Sequence, residues 1–266
     1  MFVDSHCHLD FEDMKDDLDG MLSRARAAGV GIFHTIGISQ PDFPKVRAIA
    51  EAQPDVYFSL AVHPHEAEKP GEEVTVDQLV ALTQHPKAIG IGETGLDYFY
   101  DHSPREAQQR NFRTHIRACI ASRMPLIIHT RDAEDDTIQI LREERAGHED
   151  ELTGVLHCFS SERRMADYGL EIGFYISFSG MITFNKSQNI REIARDIPVD
   201  RLLIETDAPF LAPIPYRGKA CEPAYVIETA KKLAEIKGVS LGEIEAATTA
   251  NFLKLFPKVG RGGGAP

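Results

Sequence analysis

The chain has 266 residues, and its 29 lysines and arginines face 41 aspartates and glutamates, which gives a formal net charge of −12. This charge argues against a general electrostatic grip on nucleic acid, so a polyanionic substrate has to be held by metal ions and a few local basic side chains. The four cysteines show no C-x-x-C spacing and no apolar run approaches the roughly 18 residues that span a bilayer, so we expect a cytoplasmic protein without membrane contact.

Short apolar, β-branched runs alternate with helical patterns from one end of the chain to the other. Eight such runs lie near residues 2–6, 31–37, 56–62, 88–92, 125–129, 153–157, 173–178 and 202–206. This alternation is typical of a parallel sheet with crossover helices. No glycine-rich dinucleotide loop follows the first run, which favours a barrel over an open doubly wound sheet.

Two capping boxes predict where helices begin. One is Ser103-Pro104-Arg105-Glu106, with a proline at the first helical position, and the other is Ser240-Leu241-Gly242-Glu243. The second box opens a last helix beyond the eighth strand. The sequence therefore predicts an α/β protein, a (β/α)8 TIM barrel with an additional C-terminal helix, as a single domain over residues 1–258. The glycine-rich residues 259–266 are predicted to form a flexible tail.

Histidines and carboxylates stand at the ends of six of the eight runs. They are His6 and His8, His63, Glu93, His129, His157 and Asp207. The active site of a TIM barrel lies at the C-terminal ends of its strands, so we expect these side chains to meet. Because side chains alternate along a strand, His6 and His8 point the same way while Cys7 points into the packing behind them.

This set of side chains has the chemistry of a metal site. Histidines with carboxylates suit Zn, Mn, Co, Ni or hydrated Mg, and the mixture does not choose among them. The set exceeds what one tetrahedral ion needs. Two divalent ions about 3.5 to 4 Å apart would use it, with a carboxylate such as Glu93 between them, and such a pair favours hydrolysis.

At this level of detail the chain resembles the TatD family of metal-dependent deoxyribonucleases within the amidohydrolase superfamily. The resemblance runs in the family's order through Asp4-Ser5-His6-Cys7-His8-Leu9, Val62-His63-Pro64-His65, Gly92-Glu93-Thr94-Gly95-Leu96-Asp97, His129-Thr130-Arg131-Asp132-Ala133, His157-Cys158-Phe159-Ser160 and Glu205-Thr206-Asp207-Ala208-Pro209. It implies that His6 and His8 hold one ion, that Glu93 bridges, and that His129 with His157 holds the other. Asp207 would complete the first site and act as the base toward the attacking water.

Three further residues are candidates for contact with the substrate. His63 either meets the phosphate or supports the metal ligands. Arg131 either binds phosphate or makes an ion pair with Asp132 or Glu93. Glu205, two residues before Asp207, is expected to support a ligand rather than to be one. The remaining histidines, His34, His65, His85, His102, His115 and His148, are assigned to the surface or to packing.

The resemblance implies a nuclease that trims single-stranded ends of DNA, and we expect the protein to be a monomer. Aromatic side chains that could stack exposed bases are Tyr98, Phe99, Tyr100, Phe159 and Tyr216. A hydrolase of another ester or amide, such as a D-aminoacyl-tRNA deacylase, is the alternative, because the barrel supports many chemistries through its loops. A binding protein without catalysis is disfavoured by the complete set of ligands and a base.

Overall fold

Eight parallel strands form one sheet in the computed structural model, which describes residues 1–260. They are β1 (Phe2–Cys7), β2 (Val30–Gly37), β3 (Val56–Leu60), β4 (Ala88–Asp97), β5 (Leu126–Arg131), β6 (Gly154–Leu156), β7 (Tyr175–Phe178) and β8 (Leu202–Ile204). Each strand pairs with the next in chain order. A bridge between Cys7 and Ala208 brings the end of β1 against the chain after β8 and closes the barrel.

Helices connect the strands and pack around the barrel. Among the described residues they are α1 (Glu12–Lys15), α2 (Leu18–Ala27), α3 (Phe43–Ala52), α4 (Val76–Leu82), α5 (Arg105–Ser122), α6 (Glu134–Arg145), α7 (Arg163–Glu171), α8 (Gln188–Asp196), α9 (Val226–Lys237) and α10 (Leu241–Leu255). The predicted (β/α)8 TIM barrel is confirmed, and α10 is the additional C-terminal helix. No helix within residues 1–260 is long and apolar enough to cross a membrane.

One of the two predicted capping boxes is present and the other is not. The Ser240 side chain accepts from the Glu243 amide and the Glu243 side chain accepts from the Ser240 amide, so α10 begins as predicted. The box at Ser103 is wrong, because Pro104 itself occupies the N-cap of α5 in an extended conformation. Ser103 therefore lies one residue too early to cap the helix, and its hydroxyl donates to the carbonyl of His65 instead.

The interior of the barrel is filled from its N-terminal end. One apolar cluster combines residues from the beginnings of the strands with α10, and it contains Val3, Ile32, Ile89, Ile127, Val155, Tyr175, Leu203, Phe252 and Phe256. Phe252 lies in α10 and Phe256 directly follows it, and α10 packs against β1 and β8. This packing closes the N-terminal end of the barrel and leaves the C-terminal ends of the strands for the functional site.

Strand β4 is longer than the sequence predicted, since it continues to Asp97 instead of ending near residue 92. Two glycines with positive φ, Gly92 and Gly95, lie within it. A Cβ atom at Gly95 would overlap the carbonyl of His129, so only glycine permits this approach of β4 to β5. The pairing register of the two strands shifts between Ile91 and Thr94. Glu93 therefore lies within the irregular part of β4 and not at its end.

The predicted tail falls largely outside the described residues, which end at Gly260. The amide of Gly260 donates to the hydroxyl of Tyr57 at 3.2 Å.

Candidate metal centre

Glu93 is the carboxylate at which four of the histidines meet. Its Oε1 lies 2.6 Å from Nε2 of His157 and 2.8 Å from Nδ1 of His129. The same oxygen lies 3.4 Å from Nε2 of His63, and Oε2 lies 3.3 Å from Nε2 of His6. Glu93 is 4% exposed. Residues from β1, β4, β5 and the segments after β3 and β6 are thus brought to one buried point.

A second group consists of His6, His8 and Asp207. The Nε2 atoms of the two histidines are 3.4 Å apart. Oδ1 of Asp207 lies 3.7 Å from Nε2 of His6 and 3.4 Å from Nε2 of His8. Backbone bonds across the barrel closure hold this geometry: the Asp207 amide donates to the His6 carbonyl, and the His8 amide donates to the Ala208 carbonyl. Together with Glu93, this group brings the predicted ligands into a single cluster.

Charges in the cluster are strongly coupled. Burial opposes ionisation of Glu93, but the adjacent His157 and His63 hold its pKa well below the usual range. The pKa of Asp207 is also lowered, since its contacts with His8 and His6 outweigh burial. The pKa of His6 is lowered by burial and by the neighbouring His157. Two carboxylates therefore remain ionised beside neutral and charged imidazoles.

These residues fit a divalent metal centre. The donor atoms of His6, His8 and Asp207 lie within 4.8 Å of one another, as do those of His6, Glu93 and His157 and those of His63, Glu93 and His129. The ring nitrogens of His6 and His8 face each other, an arrangement in which a shared cation satisfies both lone pairs. Imidazole nitrogens with carboxylate oxygens are the ligands of Zn and its neighbours in the first transition row.

Glu205 lies behind the cluster and does not line the cavity. It is fully buried, and its Oε1 accepts from the Cys158 amide at 2.7 Å and lies 3.2 Å from Nδ1 of His157. Burial lowers the pKa of His157, but the carboxylates of Glu93 and Glu205 together hold it well above the usual value. Glu205 is thus placed to orient His157.

His63 differs from the other histidines of the cluster in its hydrogen bonding. Its Nδ1 accepts from the backbone amide of His65 at 3.1 Å. Burial lowers the pKa of His63 to about 4, so the ring is neutral and its only proton sits on Nε2. That nitrogen faces Glu93. The geometry favours His63 as a hydrogen-bond donor to Glu93 over His63 as a metal ligand.

Sequence reasoning missed Asp97 and His65. Oδ2 of Asp97 lies 2.9 Å from Nε2 of His129 and 3.0 Å from Nε2 of His65, which the sequence had assigned to the surface or to packing. Contacts with both histidines hold the pKa of Asp97 below its usual range against the effect of burial. The available signal was the motif Gly-Leu-Asp itself, but it pointed to the site only once β4 was known to extend through it.

Asp4 is a further buried carboxylate, behind the cluster. Its side chain accepts from both the amide and the hydroxyl of Thr206, at 2.9 and 2.6 Å. Burial raises the pKa of Asp4 to about 8, although these hydrogen bonds act in the opposite direction. Asp4 joins β1 to the segment after β8, and this fixes the backbone that carries His6 and Asp207.

A cavity of about 670 Å³ opens above the cluster. Arg131 lines it, and the predicted ion pair with Asp132 or Glu93 is absent within residues 1–260. The guanidinium instead stacks on the rings of Phe99, at 4.0 Å, and Tyr100, at 5.0 Å. Arg131 therefore presents its charge at the mouth of the cavity, held by two aromatic faces.

The fold and the site together define a class of protein. A TIM barrel with buried histidine and carboxylate clusters at the C-terminal ends of its strands has the architecture of a metal-dependent hydrolase. Residues 3–257 match the family model described as TatD related DNase, and the chain belongs to the TatD family.

Curated relatives and solved structures agree with this membership. The chain is 42% identical over 257 residues to the uncharacterized metal-dependent hydrolase YcfH of Escherichia coli K12, over 96% of this chain and 95% of the relative. It is 38% identical over 256 residues to the uncharacterized metal-dependent hydrolase YabD of Bacillus subtilis, over 96% and 99%. The crystal structure of YjjV, a TatD homologue from E. coli K12, superposes with a TM-score of 0.88 at 30% identity, over 96% and 98%.

Proposed function

We propose that this protein hydrolyses phosphodiester bonds of DNA with two divalent metal ions and trims single-stranded ends as an exonuclease. The observation that supports it most directly is the grouping of five histidines and two carboxylates at the floor of a cavity whose mouth carries an arginine. Membership of a family described by its nuclease activity points the same way.

The six predicted ligands divide between two ion sites. His6, His8 and Asp207 would hold one ion, His129 and His157 the other, and Glu93 would contact both. Bound ions supply Lewis acidity at a phosphoryl oxygen and lower the pKa of coordinated water. The donor set suits Zn, Mn, Co, Ni or hydrated Mg.

The protein's own groups then have separate tasks. Asp207 is ionised and lines the cavity, so it can accept the proton of the attacking water. Arg131 is placed to hold a phosphate oxygen through its guanidinium. His63 can donate its Nε2 proton toward Glu93 or toward the oxygen of a phosphate bound beside it.

Replacing Asp207 with asparagine tests this mechanism. We expect kcat on end-labelled single-stranded DNA to fall by about 10² to 10⁴, because asparagine cannot accept the proton. Asp200→Asn, at an exposed position before β8, is the matched control and should leave kcat unchanged. Full activity in the Asp207→Asn protein would overturn the role of this residue.

In parallel with the DNA assay, the same metal-loaded protein is assayed on D-aminoacyl-tRNA. Release of mononucleotides from the DNA supports the proposed function. Release of free amino acid from the tRNA, with the DNA left intact, would instead identify the alternative, an ester hydrolase.

A further inference from the structure

Two pairs of aromatic side chains flank the cavity above the metal cluster. We infer that each pair stacks on one nucleobase, so that the phosphodiester between the two bases lies over Glu93. This inference rests on the proposed function and names what the site recognises: two adjacent unpaired nucleotides at the end of a single strand.

The first pair is Phe11 and Phe210, which follow β1 and β8. Their ring centroids are 5.6 Å apart at an interplanar angle of 85°. Phe11 lies 4.9 Å from the ring of His8, and Phe210 lies 6.3 Å from the same ring. This pair therefore borders the group formed by His6, His8 and Asp207.

The second pair is Phe99 and Tyr100, which follow β4. Their centroids are 4.9 Å apart at 88°. Tyr100 lies 5.5 Å from the ring of His65, whose Nε2 reaches Asp97 and through it His129. Arg131 is stacked on this pair. The second pair therefore borders the opposite group of the cluster and carries the cation.

The barrel places the two pairs across the cavity from each other. In the strand order β1 to β8, the end of β4 faces the closure between β8 and β1. All four rings line the same cavity. A phosphate held over the metal cluster between them would have one aromatic wall on each side.

The packing leaves about half of the surface of three of these rings exposed. Phe99, Tyr100 and Phe210 are 54%, 51% and 48% exposed, and they are three of the six exposed large hydrophobic side chains among residues 1–260. Exposed apolar groups that gather at a cavity mark a binding surface. Aromatic side chains at a site for single-stranded nucleic acid stack on bases without regard to sequence.

The charge of the cavity favours a short segment of strand. Arg131 is the single lysine or arginine among its described lining residues, and Glu66, Asp132 and Glu134 also line it. Such a surface holds few phosphates outside the metal cluster. Base stacking at two positions supplies affinity that the electrostatics of this chain do not.

The test combines removal of an aromatic side chain from the protein with removal of a base from the DNA. Single-stranded oligodeoxynucleotides carry a tetrahydrofuran residue, which has no base, in place of either nucleotide that flanks the terminal phosphodiester, at each end in turn. The kcat/KM of wild type, Phe210→Ala and Phe99→Ala/Tyr100→Ala is measured on each strand. Leu253→Ala, at an apolar residue of α10 that is 41% exposed, is the control, and Phe210→Tyr is the variant that retains stacking.

We expect removal of either base, or of either aromatic wall, to lower kcat/KM by about tenfold. The losses should not add: Phe210→Ala should lose nothing further on the strand that lacks the base stacked on it, and Phe99→Ala/Tyr100→Ala should behave likewise toward the other base. Phe210→Tyr should restore activity, and Leu253→Ala should match wild type. Which aromatic pair is coupled to which base also shows the direction in which the strand enters the cavity.

Two failures are distinguishable. If wild type releases nucleotides but the losses from side chain and base simply add, or if removing a base has no effect, the stacking inference is wrong while the proposed function stands. If no strand is cut under any metal, the proposed function fails and this inference fails with it.

Discussion

Each histidine of the cluster has one ring nitrogen that faces the cluster, called inner here, and one that faces away, called outer. The hydrogen bond of the outer nitrogen decides whether the inner nitrogen carries a proton or a free lone pair. Nδ1 of His8 lies 3.0 Å from the carbonyl of Ile36, and Nδ1 of His157 lies 3.2 Å from Glu205. These acceptors keep a proton on the outer nitrogen of each neutral ring, which leaves the inner Nε2 with a free lone pair. His63 has the reverse arrangement. The difference explains why histidines with similar positions at strand ends are suited to different tasks.

Asp97 is the acceptor at the outer nitrogen of His129, Nε2. The first prediction of this section concerns the replacement of Asp97. Asp97→Asn removes the charge that keeps the proton of His129 on Nε2, away from Glu93. We expect metal affinity, measured by calorimetry, to fall about 10- to 100-fold, with the fold intact.

Asp101→Asn, an exposed residue after the same strand, is the control for Asp97→Asn and should bind metal like wild type. Unchanged metal affinity in Asp97→Asn would show that the hydrogen bond to His129 has no part in binding.

The residues of the site were only partly predictable. The rule that barrel sites form at strand ends selected the side chains that now surround Glu93, and these side chains do lie together. Their roles as metal ligands stay a prediction. Asp97 and His65 were missed because Asp97 acts through a hydrogen bond to His129 and His65 through one to Asp97, and a sequence pattern does not show which side chain a ring nitrogen faces.

At the level of elements, the strands and helices were predicted more successfully than their boundaries. The apolar run near residues 88–92 identified β4, but the strand continues through Glu93 to Asp97. Gly92 and Gly95 allow β4 to pass close to the backbone of β5, which only the paired strand reveals.

The capping box of α10 supports the second prediction. In Ser240→Ala the first turn of α10 loses the side-chain acceptor for the Glu243 amide. The free energy of unfolding, measured by urea denaturation, should decrease by about 1 kcal/mol.

Ser187 precedes α8 at the equivalent position but makes no capping bond, so Ser187→Ala is the matched control. Because no capping bond is lost, it should change the free energy of unfolding by less than Ser240→Ala does. Equal losses in the two variants would show that the capping bond of α10 adds nothing.

At the level of the whole molecule, the metal cluster and the fold are linked. Glu93 and Asp207 are ionised and largely buried, so a bound cation stabilises the folded chain relative to the unfolded one. Divalent metal at about 100 times its Kd should stabilise the protein by about 2.7 kcal/mol. Chelation should therefore lower Tm by roughly 5 to 10 °C, measured by scanning calorimetry.

Glu93→Gln is the control for this third prediction, because it removes the carboxylate shared by the clusters. Its Tm should respond much less to metal and chelator. A wild-type Tm that does not change with metal would contradict binding at the cluster.

His115, a buried histidine that does not line the cavity, gives the fourth prediction, on pH. Nδ1 of His115 donates to the Asn111 carbonyl and Nε2 accepts from the Val62 amide, so the ring must be neutral. Burial lowers its pKa from 6.5 to about 4. The unfolded chain therefore binds a proton that the folded chain does not between these values, and stability present above pH 6.5 is lost as pH falls toward 4, by on the order of 3 kcal/mol.

Urea denaturation in the presence of chelator measures this effect from pH 7 to pH 4. His115→Gln should show a shallower loss of stability with falling pH than wild type, even if it is less stable at pH 7. His148→Gln, at an exposed position, should follow wild type. A slope in His115→Gln equal to that of wild type would rule out this histidine as the cause.

The sequence by itself determined the class of fold and the chemistry of the site. Alternating apolar runs and helical patterns require a parallel sheet covered by helices, because each apolar face must be buried. The strand-end histidines and carboxylates restrict the chemistry to metal ligands or acid–base groups. Both inferences depend on residue type and spacing, which the chain carries locally.

Only the tertiary structure decided how these groups are used. The hydrogen bonds that orient His129 and His157 join residues far apart in sequence. The stacking of Arg131 on Phe99, and the position of Phe210 across the cavity, depend on where the barrel closes. Side-chain orientation depends on neighbours that packing supplies, and these neighbours are not encoded by any single stretch of the chain.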